Sequence, residues 1–158
     1  MKAALNVDYI NPFIESTVNT FKTMCSTNVV RNKVFLKGEG EEIYGVTGII
    51  GLGGEVSGAV VLNLPEEVAM RLVGAFVGET YESLSSDVVS GVGELTNIIA
   101  GDAKNRLSQK GFSFEIGLPK IVVGRNYITA QAKNIACFVI SFTSDHGNFT
   151  LEVSLKRS

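Results

Sequence analysis

A carboxylate and a carboxamide stand three residues apart in the run Ser90-Gly-Val-Gly-Glu94-Leu-Thr-Asn97. If this run is helical, residues three and four apart share a face, so Ser90, Glu94, Asn97, Gly101 and Asn105 fall within an arc of roughly 60° to 80°. Val88, Val92, Leu95, Ile99 and Ala103 occupy the opposite side and supply the face that a core covers. Nothing in helix formation requires Glu and Asn on the polar side. An acid there can engage a cation, and a neutral amide can donate and accept hydrogen bonds at once. Spacing alone equally fits the solvated face of an ordinary surface helix.

The element that must carry this pair has clear ends. Ser85-Ser86-Asp87 offers short polar side chains to cap free amides, and Lys110-Gly111 supplies a cation and a C-terminal glycine. An earlier amphipathic helix is expected from Asp8 to about Met24, with Ile10, Phe13, Ile14, Thr17, Val18 and Phe21 at helical spacing. Asn11 fits its cap and Pro12 an early position. Pro65-Glu66-Glu67 opens a third helix that Gly78 can close.

Strand-like runs lie at Val29 to Leu36, Tyr44 to Gly51 and Gly58 to Leu64, with Gly51-Leu-Gly-Gly54 read as the turn before the last of these. Further strands are expected at Phe112 to Gly117, Ile121 to Val123 and Tyr127 to Gln131. A final hairpin spans Ile135 to Ser144 and Asn148 to Leu155, turning at Asp145-His146-Gly147-Asn148. Ile50 to Leu64 laid against Ile140 to Leu155 shows a faint repeat. The expected fold is α/β (α+β): two helix-plus-hairpin halves form one mostly antiparallel sheet with long helices packed on it.

Bulk properties narrow the function. The 158 residues, 45% of them hydrophobic, suffice for one core, and no linker or low-complexity tract divides 1–158 into more than a single domain. A net charge of -2 without any basic run gives no footprint for nucleic acid or an anionic membrane. No apolar stretch reaches spanning length, and the cytoplasm is the expected location. Cys25 and Cys137 are far apart in sequence and read as buried reduced thiols, and with His146 alone, zinc clusters and Ser-His catalysis lose support. No metal or other cofactor is expected on the chain. Gly51 to Gly58 lacks the Lys-Ser/Thr ending of a phosphate loop and leads into a strand, so it reads as a hairpin.

The run around Glu94 resembles the phosphatase motif of the CheC, CheX and FliY family: Asp or Ser, three residues, Glu, two residues, Asn, and about twenty-two positions later a Pro. Ser90, Glu94, Asn97 and Pro119 meet every term. The resemblance extends over nearly the whole chain, including Asn11-Pro-Phe-Ile-Glu15, Gly45 to Leu64 and Gly93 to Lys104. It looks nearest to the CheX branch, because the first helix has Glu15 followed by Val18 where a second motif needs an amide.

The resemblance implies a chemotaxis phosphatase acting in two-component signalling, a hydrolase for the aspartyl phosphate of a CheY-like response-regulator receiver domain. Asn97 would then orient the attacking water and Glu94 would engage a receiver lysine. Ser90 and Gly101 would border the partner surface, Ser90 alternatively satisfying a local backbone group, and Pro119 would fix a turn beside it. Mg²⁺ would belong to the receiver, and a homodimer joined through sheet edges is implied. The competing expectation is a module that binds a receiver or the flagellar switch without catalysis, since a related fold occurs in FliM. A small-ligand sensor would instead need an apolar pocket with convergent polar groups.

Overall fold

Alternation of apolar and polar residues along the strands leaves one sheet face apolar, and three amphipathic helices cover it in a computed structural model that describes residues 9–37, 42–43, 45–124, 126–127 and 136–157. In chain order the elements are α1 (Asn11–Cys25), β1 (Val29–Leu36), β2 (Glu42–Ile43), β3 (Val46–Gly54), β4 (Val56–Leu64), α2 (Glu66–Val77), α3 (Ser86–Ser108), β5 (Phe114–Ile116), β6 (Lys120–Val123), β7 (Asn126–Tyr127), β8 (Cys137–Ser144) and β9 (Gly147–Arg157). The seven-stranded sheet runs β1-β8-β9-β4-β3-β5, with β6 also on β3, and its ladders are antiparallel. A short ladder pairs β2 with β7.

The expected repeat is visible in this order. Exchanging the two halves maps β1 onto β5, β8 onto β3 and β9 onto β4, so the strand order reads the same from either edge. Each long helix feeds a strand that pairs with the other half's hairpin: β1 after α1 pairs with β8, and β5 after α3 pairs with β3. The halves are thereby interlaced. Ile50, Val60, Leu62, Leu64, Ile140, Phe142, Leu151 and Val153 point into a single core with Phe13, Phe21, Leu72, Leu95 and Ile99 from the helices.

Two local expectations shift. The N-cap of α1 is Ile10, without a side-chain cap bond, and Asn11 is already helical, while Pro12 takes the expected early position. Gly51 to Gly54 is strand, and the chain reverses at Glu55, because β3 hydrogen-bonds β4 on one side and β5 on the other. Those ladders hold glycines that local preference alone would send into a turn. Asp8, the strand beyond Tyr127 and Ile135 lie outside the described residues.

Other boundaries agree closely. The Ser85 hydroxyl accepts from the Val88 N–H at 3.4 Å at the start of α3, and Gly78 closes α2 with φ 79. Asp145 and His146 form the two-residue turn between β8 and β9. Cys25 and Cys137 are buried and form no disulfide, and burial pushes the Cys25 thiol up to about 12. Among the described residues no helix is long and apolar enough to cross a membrane.

Candidate functional site

The polar ridge depends on how α3 is seated. Val88, Val92, Leu95, Ile99, Ala100 and Ala103 are completely buried, while Ser90 and Glu94 are exposed and Asn97 and Gly101 half-buried. The helix therefore turns toward the core the face that the sequence marked as apolar. Removing those methylenes from water supplies most of the docking free energy, at about 25 cal/mol per Å².

Close contacts set the height and rotation of this helix. A Cβ on Gly91 would lie 2.5 Å from Val73 Cγ1 of α2, and one on Gly93 would lie 3.1 Å from Ile121 Cδ1 of β6 and 3.9 Å from Pro119 Cβ. On the sheet side the arrangement is reversed. Gly48 of β3 yields space to Thr96, whose Oγ1 a Cβ on Gly48 would meet at 2.1 Å. Thr96 is fully buried and its hydroxyl donates to the Val92 carbonyl at 2.7 Å. These small residues bracket the turns that carry Glu94 and Asn97.

Neither Glu94 nor Asn97 has a hydrogen-bond or ion-pair partner among the described residues. Among the described residues every side-chain nitrogen or oxygen closed to solvent has a partner, so the unpartnered Asn97 amide remains in contact with water. Ser90 likewise lacks the bond to its own helix backbone that Thr96 and Ser108 make, so its hydroxyl faces outward unengaged among the described residues. The space in front of Gly101 is open, and no internal packing calls for a glycine there. Pro119 is half-buried in the β5–β6 connection, beside the α3 turn one residue before Glu94.

The corresponding acid of the first half has a different fate. Glu15 Oε2 pairs with Arg106 Nη1 at 3.2 Å, and Arg106 Nε also binds Asp102 Oδ2 at 2.9 Å. One acid is thus occupied by an internal cation, and the other has no partner among the described residues. The sequence showed the missing amide at Val18, but it gave no signal for Arg106 as partner, which depends on α1 packing against α3.

The arrangement presents a neutral amide, an unpaired carboxylate and a small residue on one solvent-facing ridge. Among the described residues no group of three or more His, Cys, Asp and Glu side chains could hold a metal ion. Such a surface can orient water and bind a cation on another molecule. Beside Pro119, Leu118 stands 91% exposed, and no local pattern in the sequence marks it.

Comparison with known proteins agrees with this architecture. The family model described as chemotaxis phosphatase CheX matches residues 46–143. A curated relative, CheY-P phosphatase CheX of Thermotoga maritima, is 26% identical over 148 residues, which are 93% of this chain and 95% of the relative. A CheC-like superfamily protein from Shewanella has 33% identity and a TM-score of 0.86, covering 96% of this chain and 99% of that one. CheX from Borrelia burgdorferi, solved as a complex with CheY, BeF3 and Mg²⁺, has 26% identity and a TM-score of 0.80 over 96% of this chain and 100% of the other. With the family model matching 46–143 and the fold shared with these solved structures, the chain belongs to the CheX family of chemotaxis phosphatases.

Proposed function

We propose that this chain hydrolyses the aspartyl phosphate of a CheY-like receiver domain, with Asn97 orienting the attacking water and Glu94 docking on a receiver lysine. The observation that carries the reading is the solvent-facing pair itself, a carboxylate and an amide held on a rigid helix with no internal partner among the described residues. The relative named CheY-P phosphatase and the relative solved with CheY supply the substrate class.

The chemistry asks little covalent work of the catalyst. Water oxygen attacks phosphorus in line, the bond from phosphorus to the aspartate oxygen breaks, and the carboxylate leaves as orthophosphate forms. A neutral amide can accept a hydrogen bond from the water and donate to a phosphoryl oxygen without adding like charge. Mg²⁺ on the receiver would neutralise phosphoryl charge. Glu94, lacking an internal cation, is suited to a charge-assisted bond with a partner ammonium. Ser90 and Gly101 border the contact and allow close approach, and Pro119 fixes its flank. The proposed location of the reaction is the cytoplasm, where a receiver domain of this kind would act.

The test is phosphate release from an acetyl-phosphate-charged receiver in Mg²⁺, with and without the protein. Release no faster than the receiver's own rate would overturn the assignment. In the same assay Glu94→Ala raises KM about tenfold, roughly 1.4 kcal/mol, and changes kcat less than threefold. A kcat loss larger than the KM change would move Glu94 from docking into the chemical step.

The proposal includes a homodimer. Strand β1 is an edge of the sheet, paired only with β8 among the described residues, and it exposes Val30 and Leu36, each 64%, together with Phe35. An eight-residue edge with apolar side chains is a template for pairing with a second copy. Sedimentation equilibrium is expected to give twice the 16.9 kDa chain mass. A monomer at assay concentrations would exclude it.

A further inference from the structure

Resting on the proposed reading, we infer that Leu118 is an apolar anchor for the receiver domain, gripping it on the flank of the ridge opposite Glu94. Leu118 is the most exposed large apolar side chain among the described residues, at 91%. Its position gives that exposure meaning. The Pro119 ring approaches α3 at Gly93, one turn before Asn97. Gly93 and Asn97 are about 40° apart around the axis, and helical side chains lean toward the N-terminus, so the Asn97 amide overlies the Gly93 turn next to this connection. Glu94 lies about 60° away from Asn97 on the other side. A phosphoryl group brought to Asn97 therefore places its carrier between a carboxylate and an exposed leucine.

The loop that presents Leu118 is stiff. Gly117 N–H donates to the Gly51 carbonyl at 2.9 Å before it, and Lys120 pairs with Ile49 after it, so both ends are clamped to β3. Pro119 fixes its own φ, and a residue preceding proline is confined to extended conformations. Little backbone freedom remains to be lost when a partner covers the leucine, which makes it an efficient contact. The chemistry also defines the partner: its phosphoryl site must be bordered by a cation on the side facing Glu94 and by an aliphatic or aromatic patch on the side facing Leu118.

The experiment is steady-state dephosphorylation of the charged receiver by Leu118→Ala, Leu118→Asp and Leu118→Met, with Asn97→Ala in parallel. Leu118→Ala is expected to raise KM about tenfold with kcat unchanged, Leu118→Asp to raise it further, and Leu118→Met to stay within twofold of the parent. Thermal stability stays level across the series, since the side chain makes almost no internal contact. If KM for both Leu118→Ala and Leu118→Asp stays within twofold while Asn97→Ala is inactive, the anchor is wrong and the phosphatase reading stands. A loss confined to kcat also overturns the anchor. Full activity of Asn97→Ala would overturn the underlying reading instead.

Discussion

Replacing Asn97 by Ala is expected to lower kcat for receiver dephosphorylation by two orders of magnitude or more while the folded protein and its affinity for the receiver persist. Two orders of magnitude correspond to about 2.7 kcal/mol of transition-state stabilisation. The size follows from what the amide would do. Placing a water in line with a phosphoryl group replaces an improbable encounter by a prepared one, and the entropy saved is large when the positioning group is itself rigid. Asn97 sits mid-helix and half-buried, so its side chain has few orientations to lose. Stability is expected to stay within about 0.5 kcal/mol, because the side chain has no partner among the described residues to leave behind.

Two further replacements separate positioning from charge. Asn97→Asp keeps the shape but sets a carboxylate against the phosphoryl oxygens, and it is expected to lose turnover and also raise KM. Asn97→Gln keeps the amide but lengthens the arm by a methylene, and a displacement of about 1 Å is enough to cost roughly 10²-fold. Turnover by Asn97→Ala within threefold of the parent would show that water is positioned by another group. Binding is checked separately with a receiver carrying a beryllofluoride mimic of the phosphoryl group, so that loss of docking cannot pass for loss of chemistry.

The ridge was legible because it depends only on helical periodicity and on end signals that are local. Ser85 caps the start of α3 and the helix ends at Ser108, three residues before the expected Gly111, while the apolar residues between them fix which side faces the sheet. The interlaced halves were legible as a repeat of patterns, though not as strands exchanged between hairpins, since pairing partners far apart in sequence leave no local trace. Gly51 to Gly54 was misread for the same reason. Two neighbouring strands determine its extended conformation, and a glycine run by itself looks like a turn. Leu118 could not be singled out because an isolated leucine between strand-like runs looks like core. Thr96 and Gly48 could not be matched because their fit exists only when α3 lies across β3.

That last contact yields the second large effect. Gly48→Ala is expected to lower stability by about 2 kcal/mol and to reduce kcat more than KM, with Thr96→Ala in the same chain restoring part of both. A Cβ at Gly48 would be 2.1 Å from Thr96 Oγ1, 3.0 Å from its Cβ and 3.3 Å from its Cγ2. The strand cannot retreat, because Gly48 pairs with Leu62 of β4 on one side and Ile121 of β6 on the other. Helix α3 must then lift or turn by roughly 1 Å, and Asn97, the next residue after Thr96, moves with it. Thr96→Ala removes Oγ1 and Cγ2 but leaves the Cβ contact, so the rescue is incomplete. The outcome that would defeat this account is a stability loss in Gly48→Ala with kcat preserved. Thr96 would then have absorbed the clash by rotating away from the Val92 carbonyl, and the seat beneath the helix would not govern where its amide points.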